Sequence, residues 1–216
     1  MKMQLKNKKL RFGKINFDFL NKKNYFIFLV SLFIIGIFSG ILFFCLVKGS
    51  VKQNILDEVN NFFTLKDNYN YLNILLSYTK SNIFNFLLIW FLGISIIGII
   101  VILFLYFINA FSLGFIISGI IYSYGFKGII GSICYIFPSK ILYLITLLIL
   151  TFFGCLMGIN LIRNILNKEN NNNNLSIFFL KYLKILFISL IFAILIALFD
   201  TFITPFLIKA FTFLIK

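Results

Sequence analysis

Apolar residues in this chain run together instead of alternating with polar ones. Tracts over residues 25–47, 83–108, 141–162 and 177–199 each supply the about 20 apolar residues that a helix needs to cross a hydrocarbon core. A shorter tract covers 111–124. None of them shows the period of two expected of barrel strands, and in lipid the backbone groups of a run such as 86–107 can pair only within the run itself. The pattern therefore predicts an all-α integral membrane protein with five transmembrane helices.

Two stretches between these tracts read differently. In the segment 48–82, Val51, Ile55, Val59 and Phe62 recur at helical spacing, with Asn54, Asp57, Glu58 and Asn61 between them. A second short pattern follows at Leu72, Leu75, Leu76 and Thr79. Such helices rest on the bilayer or the bundle, or present a docking surface to an extracytoplasmic partner. In the segment 125–140, an apolar piece over 129–137 lies between Gly125 and Gly128 on one side and Pro138 on the other. Its length suits a re-entrant or interfacial segment between the third and fourth spans; the alternative is one long tilted helix kinked at the glycines.

Charge orients the spans. The 216-residue chain carries twenty Lys and Arg against six Asp and Glu, and 61% of it is apolar. Eight of the basic residues precede Tyr25, so the arm 1–24 is expected in the cytoplasm. The Asn-rich loop 163–176 and the basic residues near it fall on the same side, while 48–82 and the tail 200–216 fall outside. Twelve basic residues are then cytoplasmic and eight external, the sign that the positive-inside rule requires. The basic residues punctuate span ends and form no patch on a soluble domain, which argues for lipid headgroups and against nucleic acid as their partner.

Candidate chemistry is sparse. The chain has no histidine, which excludes Ser-His triads and HExxH metal sites. Cys45, Cys134 and Cys155 lie far apart in apolar stretches without metal or redox spacing. No catalytic residue, cofactor site or metal site is expected. Asp200 stands out because it closes the fifth apolar run ahead of Thr201 and Pro205; it is either a functional ionisable group at the edge of the hydrocarbon or a cap at the water interface. The four-residue spacings Gly36/Gly40 and Gly154/Gly158, and Gly114/Ser118 in the third span, let helices approach closely, within the bundle or against a partner's membrane helix.

The stretch Trp90-Phe91-Leu92-Gly93-Ile94-Ser95-Ile96-Ile97-Gly98 resembles the second-span signature of the stage II sporulation protein M family of endospore-forming Firmicutes, in its clostridial type. Phe111-Ser112-Leu113-Gly114-Phe115, the break at Gly125 to Gly128, Pro138, and Asp200 followed by Pro205 keep the family's order. More distant relatives carry Pro-His-Gly with a following Glu where this chain reads Pro138-Ser139-Lys140, so a role tied to that His and Glu does not carry over. The resemblance implies a non-catalytic scaffold in the mother-cell membrane at the sporulation septum. Its implied partners are stage II sporulation proteins D and P, which degrade peptidoglycan during engulfment. Partner or packing positions are then sought at Gly36, Gly40, Val51, Ile55, Val59, Phe62, Gly93, Gly98, Pro138, Gly154, Gly158 and Asp200. The competing expectation is a small transport or permease-like subunit, which would need a polar path through the bundle.

Overall fold

The computed structural model describes residues 22–63, 70–167 and 172–215. Residues 1–21 of the basic arm, the polar stretch 64–69, residues 168–171 of the Asn-rich loop and residue 216 lie outside these residues, and the last three residues of the arm begin the first helix. The described chain folds into helices α1 (Lys22–Leu46), α2 (Ser50–Phe63), α3 (Tyr71–Gly93), α4 (Gly98–Tyr124), α5 (Lys127–Ile136), α6 (Ser139–Asn167), α7 (Asn172–Leu198) and α8 (Thr204–Ile215), with a π-helical turn Phe199–Ile203 between the last two. Among the described residues, five segments are long and apolar enough to cross a membrane: α1, α3, α4, α6, and α7 with its continuation. The protein is therefore an all-α integral membrane protein with five such spans.

The count agrees with the sequence, but several boundaries differ. One span was expected over 83–108 and a short one over 111–124. Instead α3 ends at Gly93 and the chain turns over Ile94–Ile97, where the Ser95 N–H bonds to the Leu92 carbonyl at 2.9 Å. Gly98 opens α4 hard against the backbone of Leu92, an approach that leaves no room for a Cβ. The turn is built from Ile94, Ser95, Ile96 and Ile97, so hydropathy passes through it without a dip. The second span thus begins at Tyr71, inside the segment expected to be external. Residues 111–124 are the second half of a full-length helix, and of the expected external segment only α2 lies outside a span.

The expected tail 200–216 also differs, because it continues α7 as helix through the π turn. Pro205 accounts for the irregularity: it has no N–H to give to the preceding turn, and its ring crowds the carbonyl four residues back. The Thr204 N–H bonds to the Phe199 carbonyl in the wider π pattern, and the Thr204 hydroxyl donates to the same oxygen at 3.2 Å.

Two apolar clusters organise the bundle. The larger joins α1, α3, α4, α6 and α7 through Leu29, Phe86, Ile89, Ile102, Tyr106, Leu147, Leu150, Tyr182 and Ile196, all essentially inaccessible. The smaller lies where α4 ends, and joins Phe63 of α2 and Ile120 of α4 to Ile208 and Phe211 of α8. Between Tyr124 and Ser139 the chain forms a hairpin and not a kinked continuous helix. Gly125, at φ +58°, makes the reversal, and Gly128 of α5 then packs on the backbone of Ile120 and Ile121. A side chain at Gly125 would meet no neighbour but would have to adopt a backbone conformation that L-residues rarely take.

Candidate functional site

The most built polar cluster lies where α6 begins and α7 ends. Ser139 and Lys140 follow Pro138 at the start of α6, and the π turn aims Asp200 at them. The Ser139 hydroxyl donates to Asp200 Oδ1 at 2.7 Å, and Lys140 Nζ donates to both carboxylate oxygens at 3.2 Å. Thr204 Oγ1 lies 3.5 Å from the Ser139 hydroxyl. The Asp200 side chain is 6% exposed and that of Lys140 27%, so the carboxylate is enclosed while the ammonium stem reaches toward the surface. Tyr135 and Tyr78 flank the ammonium, with ring centroids 5.8 and 6.0 Å away.

A second polar layer begins one turn further along α6. Tyr143 donates to Asn109 Oδ1 at 3.2 Å, and Asn85 lies 3.5 Å from the Tyr143 hydroxyl. The Asn82 amide reaches the Ala193 carbonyl at 3.4 Å. Tyr78, Asn82 and Asn85 share one face of α3 and turn toward protein, whereas Asn73, Ser77, Lys80 and Ser81 on its first turns are exposed. Beyond this layer the centre is filled by Phe86, Ile89, Tyr106, Leu147, Leu150 and Tyr182.

These groups tie helices together. Both Asp200 oxygens are occupied, and the cluster offers a neutral ion pair. Among the described residues no group of three or more Cys, Asp or Glu is placed to hold a metal, and the three cysteines are free and separate.

The small residues turn inward. Gly36 sits against Ala110, where an added Cβ would lie 2.7 Å from the Ala110 methyl; Gly40 packs on the Phe111 carbonyl and Gly114 on that of Ile37. Gly93 faces Gly154 and the Tyr182 hydroxyl, and Gly158 receives the side chain of Ile99. The glycine faces of α1, α3, α4 and α6 are thus filled by this chain's own helices. On α2, Val59 covers Gly119, Phe62 meets Tyr135 edge-on at 5.6 Å, and Phe63 is buried. Ile55 is half-buried, whereas Val51 at the start of the helix is exposed.

Sequence reasoning singled out Asp200 but neither of its partners. Their signal was weak: a Ser and a Lys just after a proline, at the mouth of an apolar run. Tyr182 was also missed. Its hydroxyl donates to the Trp90 carbonyl at 3.0 Å and its ring stacks on Trp90 at 5.6 Å.

A specific suppression follows from that contact. Gly93→Ala drives its methyl into the Tyr182 hydroxyl, while Gly154 stands 2.9 Å behind it. Tyr182→Phe alone should cost about 1 kcal/mol through the lost hydrogen bond. Combined with Gly93→Ala, it should restore part of the stability that Gly93→Ala removes, read as the midpoint of detergent unfolding. Additive losses would contradict the contact.

A family model described as stage II sporulation protein M matches residues 28–205. No curated protein matches the chain, and no solved structure does.

Proposed function

The chain belongs to the stage II sporulation protein M family, which makes it a sporulation-related membrane protein, and from that premise we propose that it is a non-catalytic scaffold of the engulfment machinery. On this reading it recruits peptidoglycan hydrolases, stage II sporulation proteins D and P, to the septal membrane of the mother cell, with its amino terminus in the cytoplasm.

The observation that carries the proposal is the seating of α2. Lys52 lies over the Tyr122 ring at 3.9 Å and the Phe44 ring at 5.1 Å, Val59 lies on Gly119, and Phe63 meets Tyr124 and Phe211. The helix is pinned at both ends, and Gln53, Asn54, Asp57 and Glu58 are exposed along its outer side. A rigid polar face of this kind can bind a partner without paying the ordering entropy of a loose segment.

Tagged protein pulled down from sporulating cells should bring a septal hydrolase with it. Asp57→Lys combined with Glu58→Lys should lower that capture several-fold while leaving the amount of protein in the membrane unchanged. In a strain lacking the chain both hydrolases should be made but spread over the membrane; normal septal localisation there would sink the scaffold reading.

The transport reading draws on Lys140–Asp200 and on the Asn85–Tyr143–Asn109 layer. Against it stand the large side chains that fill the centre beyond that layer. Solute or ion flux through reconstituted protein would favour transport over the scaffold.

A further inference from the structure

Helix α5 is amphipathic in the reverse sense to a helix in water. Its buried residues are the small ones, Gly128, Gly131 and Ser132, with Gly131 packed against the Phe211 ring. Outward it presents Ile129, Ile130 and Ile133, and the stripe is extended by Phe126 before the helix and Phe137 after it, the former 89% exposed. Helix α8 is apolar on both faces: Ile208 and Phe211 are buried, while Phe206 and Phe213 point out together with Phe202 of the π turn. A surface helix in water puts its large apolar residues toward the core, whereas membrane helices put small residues at their contacts and large ones toward acyl chains.

The path of the chain adds a second argument. It reverses at the tip of α4, where Tyr122 meets Phe44 near the end of α1, and α5 then doubles back along α4. Immediately after α5, Ser139 reaches Asp200, which closes the long apolar run of α7. The hairpin therefore travels from the end of the bundle into it. At about 1.5 Å per residue, a ten-residue helix covers about half of a hydrocarbon core of about 30 Å.

We propose that α5 and α8 form a packed pair immersed in one leaflet of the bilayer, the one at the end of the bundle where α1 ends, with acyl chains covering the Ile129–Ile133 and Phe206–Phe213 faces. Lipid is the occupant because exposed Ile121, packed beside Gly128 of α5, belongs to the spanning helix α4 itself, and the spans expose the same kind of residue at Phe38, Leu42 and Leu46 of α1. Lys127 stands at the start of α5, at the tip of the hairpin, and Lys209 on α8 can snorkel to the headgroups. The Lys140–Asp200 pair then sits beneath the immersed helices, shielded from water on that side. The proposal rests on the crossing helices and is independent of the scaffold role.

Nanodiscs expose both membrane faces, so orientation does not enter the test. In a background with Cys45, Cys134 and Cys155 replaced by Ala, single cysteines at Ile133 and Phe206 should react with a membrane-impermeant maleimide at least about ten times more slowly than one at Asp57. In the unaltered chain, a phospholipid carrying a diazirine in its acyl chain should label residues 126–137 and 202–213 as it labels Phe38 and Leu42. Maleimide reaction at the rate of the Asp57 position would overturn the proposal. So would protection from both reagents, which would mean that protein covers the face. If the cysteine-free background does not fold, the lipid-labelling pattern of the unaltered chain decides alone.

Discussion

Lys140→Met is expected to lower the unfolding free energy by about 3–5 kcal/mol, the cost of leaving a buried charge without its partner. The methionine fills much of the lysine's volume but gives nothing to Asp200, whose enclosed carboxylate would keep only the Ser139 hydroxyl. Asp200→Asn should be milder, because an amide oxygen can still accept from Ser139 and the lysine can turn toward the surface. Combining Lys140→Met with Asp200→Leu removes both charges, and the pair of substitutions should be less destabilising than Lys140→Met alone. Trp90, the chain's single tryptophan, is buried against Tyr182, so its emission during denaturant or detergent titration reports all three variants. If Lys140→Met unfolds within about 0.5 kcal/mol of the parent, the pair does not hold the end of α7 to α6.

Gly40→Leu should also be strongly destabilising, by a different mechanism. The Cβ built at Gly40 collides with the Phe111 carbonyl and lies 2.9 Å from the Phe115 nitrogen, both backbone atoms that cannot rotate away. Inserting a branched side chain between α1 and α4 must separate the helices, and overpacking of this kind costs at least about 1–3 kcal/mol. The expected result is loss of folded protein from the membrane fraction, with Gly40→Ala intermediate. Gly119→Ala is the control, since its methyl would meet side-chain atoms and no backbone: a Val59 methyl at 3.3 Å and the Phe44 ring at 3.6 Å. Gly114 occupies the same α1/α4 contact from the other side, against the Ile37 carbonyl. Once Gly40→Ala has moved the helices apart, Gly114→Ala should cost less than it does alone; full additivity would show that the two glycines do not share one interface.

These predictions concern residues of unequal visibility in the sequence. Gly36, Gly40, Gly154 and Gly158 stood out by spacing, and spacing could say that two helices approach closely but not which two. Gly36 and Gly40 meet α4, whereas Gly154 and Gly158 meet the end of α3 and the start of α4. Asp200 was legible as an isolated acid in an apolar run. Its partner Lys140, sixty residues earlier, was not, because nothing local links them.

The sequence by itself determined that the chain lives in lipid, that its elements are helices, that five of them are long and apolar enough to cross, and that the stretch from Val51 to Phe62 is an amphipathic helix. Lipid imposes this: a backbone without water must satisfy its own hydrogen bonds, and only long apolar helices do so one segment at a time. The tertiary structure alone decided where α3 ends and α4 begins, which faces of the spans touch one another, and where the Asn and Tyr side chains find partners. The physical reason lies in the same solvent. A span is apolar on its packed side and on its lipid side alike, so hydropathy carries no period that tells one from the other. A turn such as Ile94–Ile97 can be as apolar as the helices it joins. Only the contacts of distant segments, such as Gly93 on Gly154 or Ser139 on Asp200, separate what is buried from what the membrane merely dissolves.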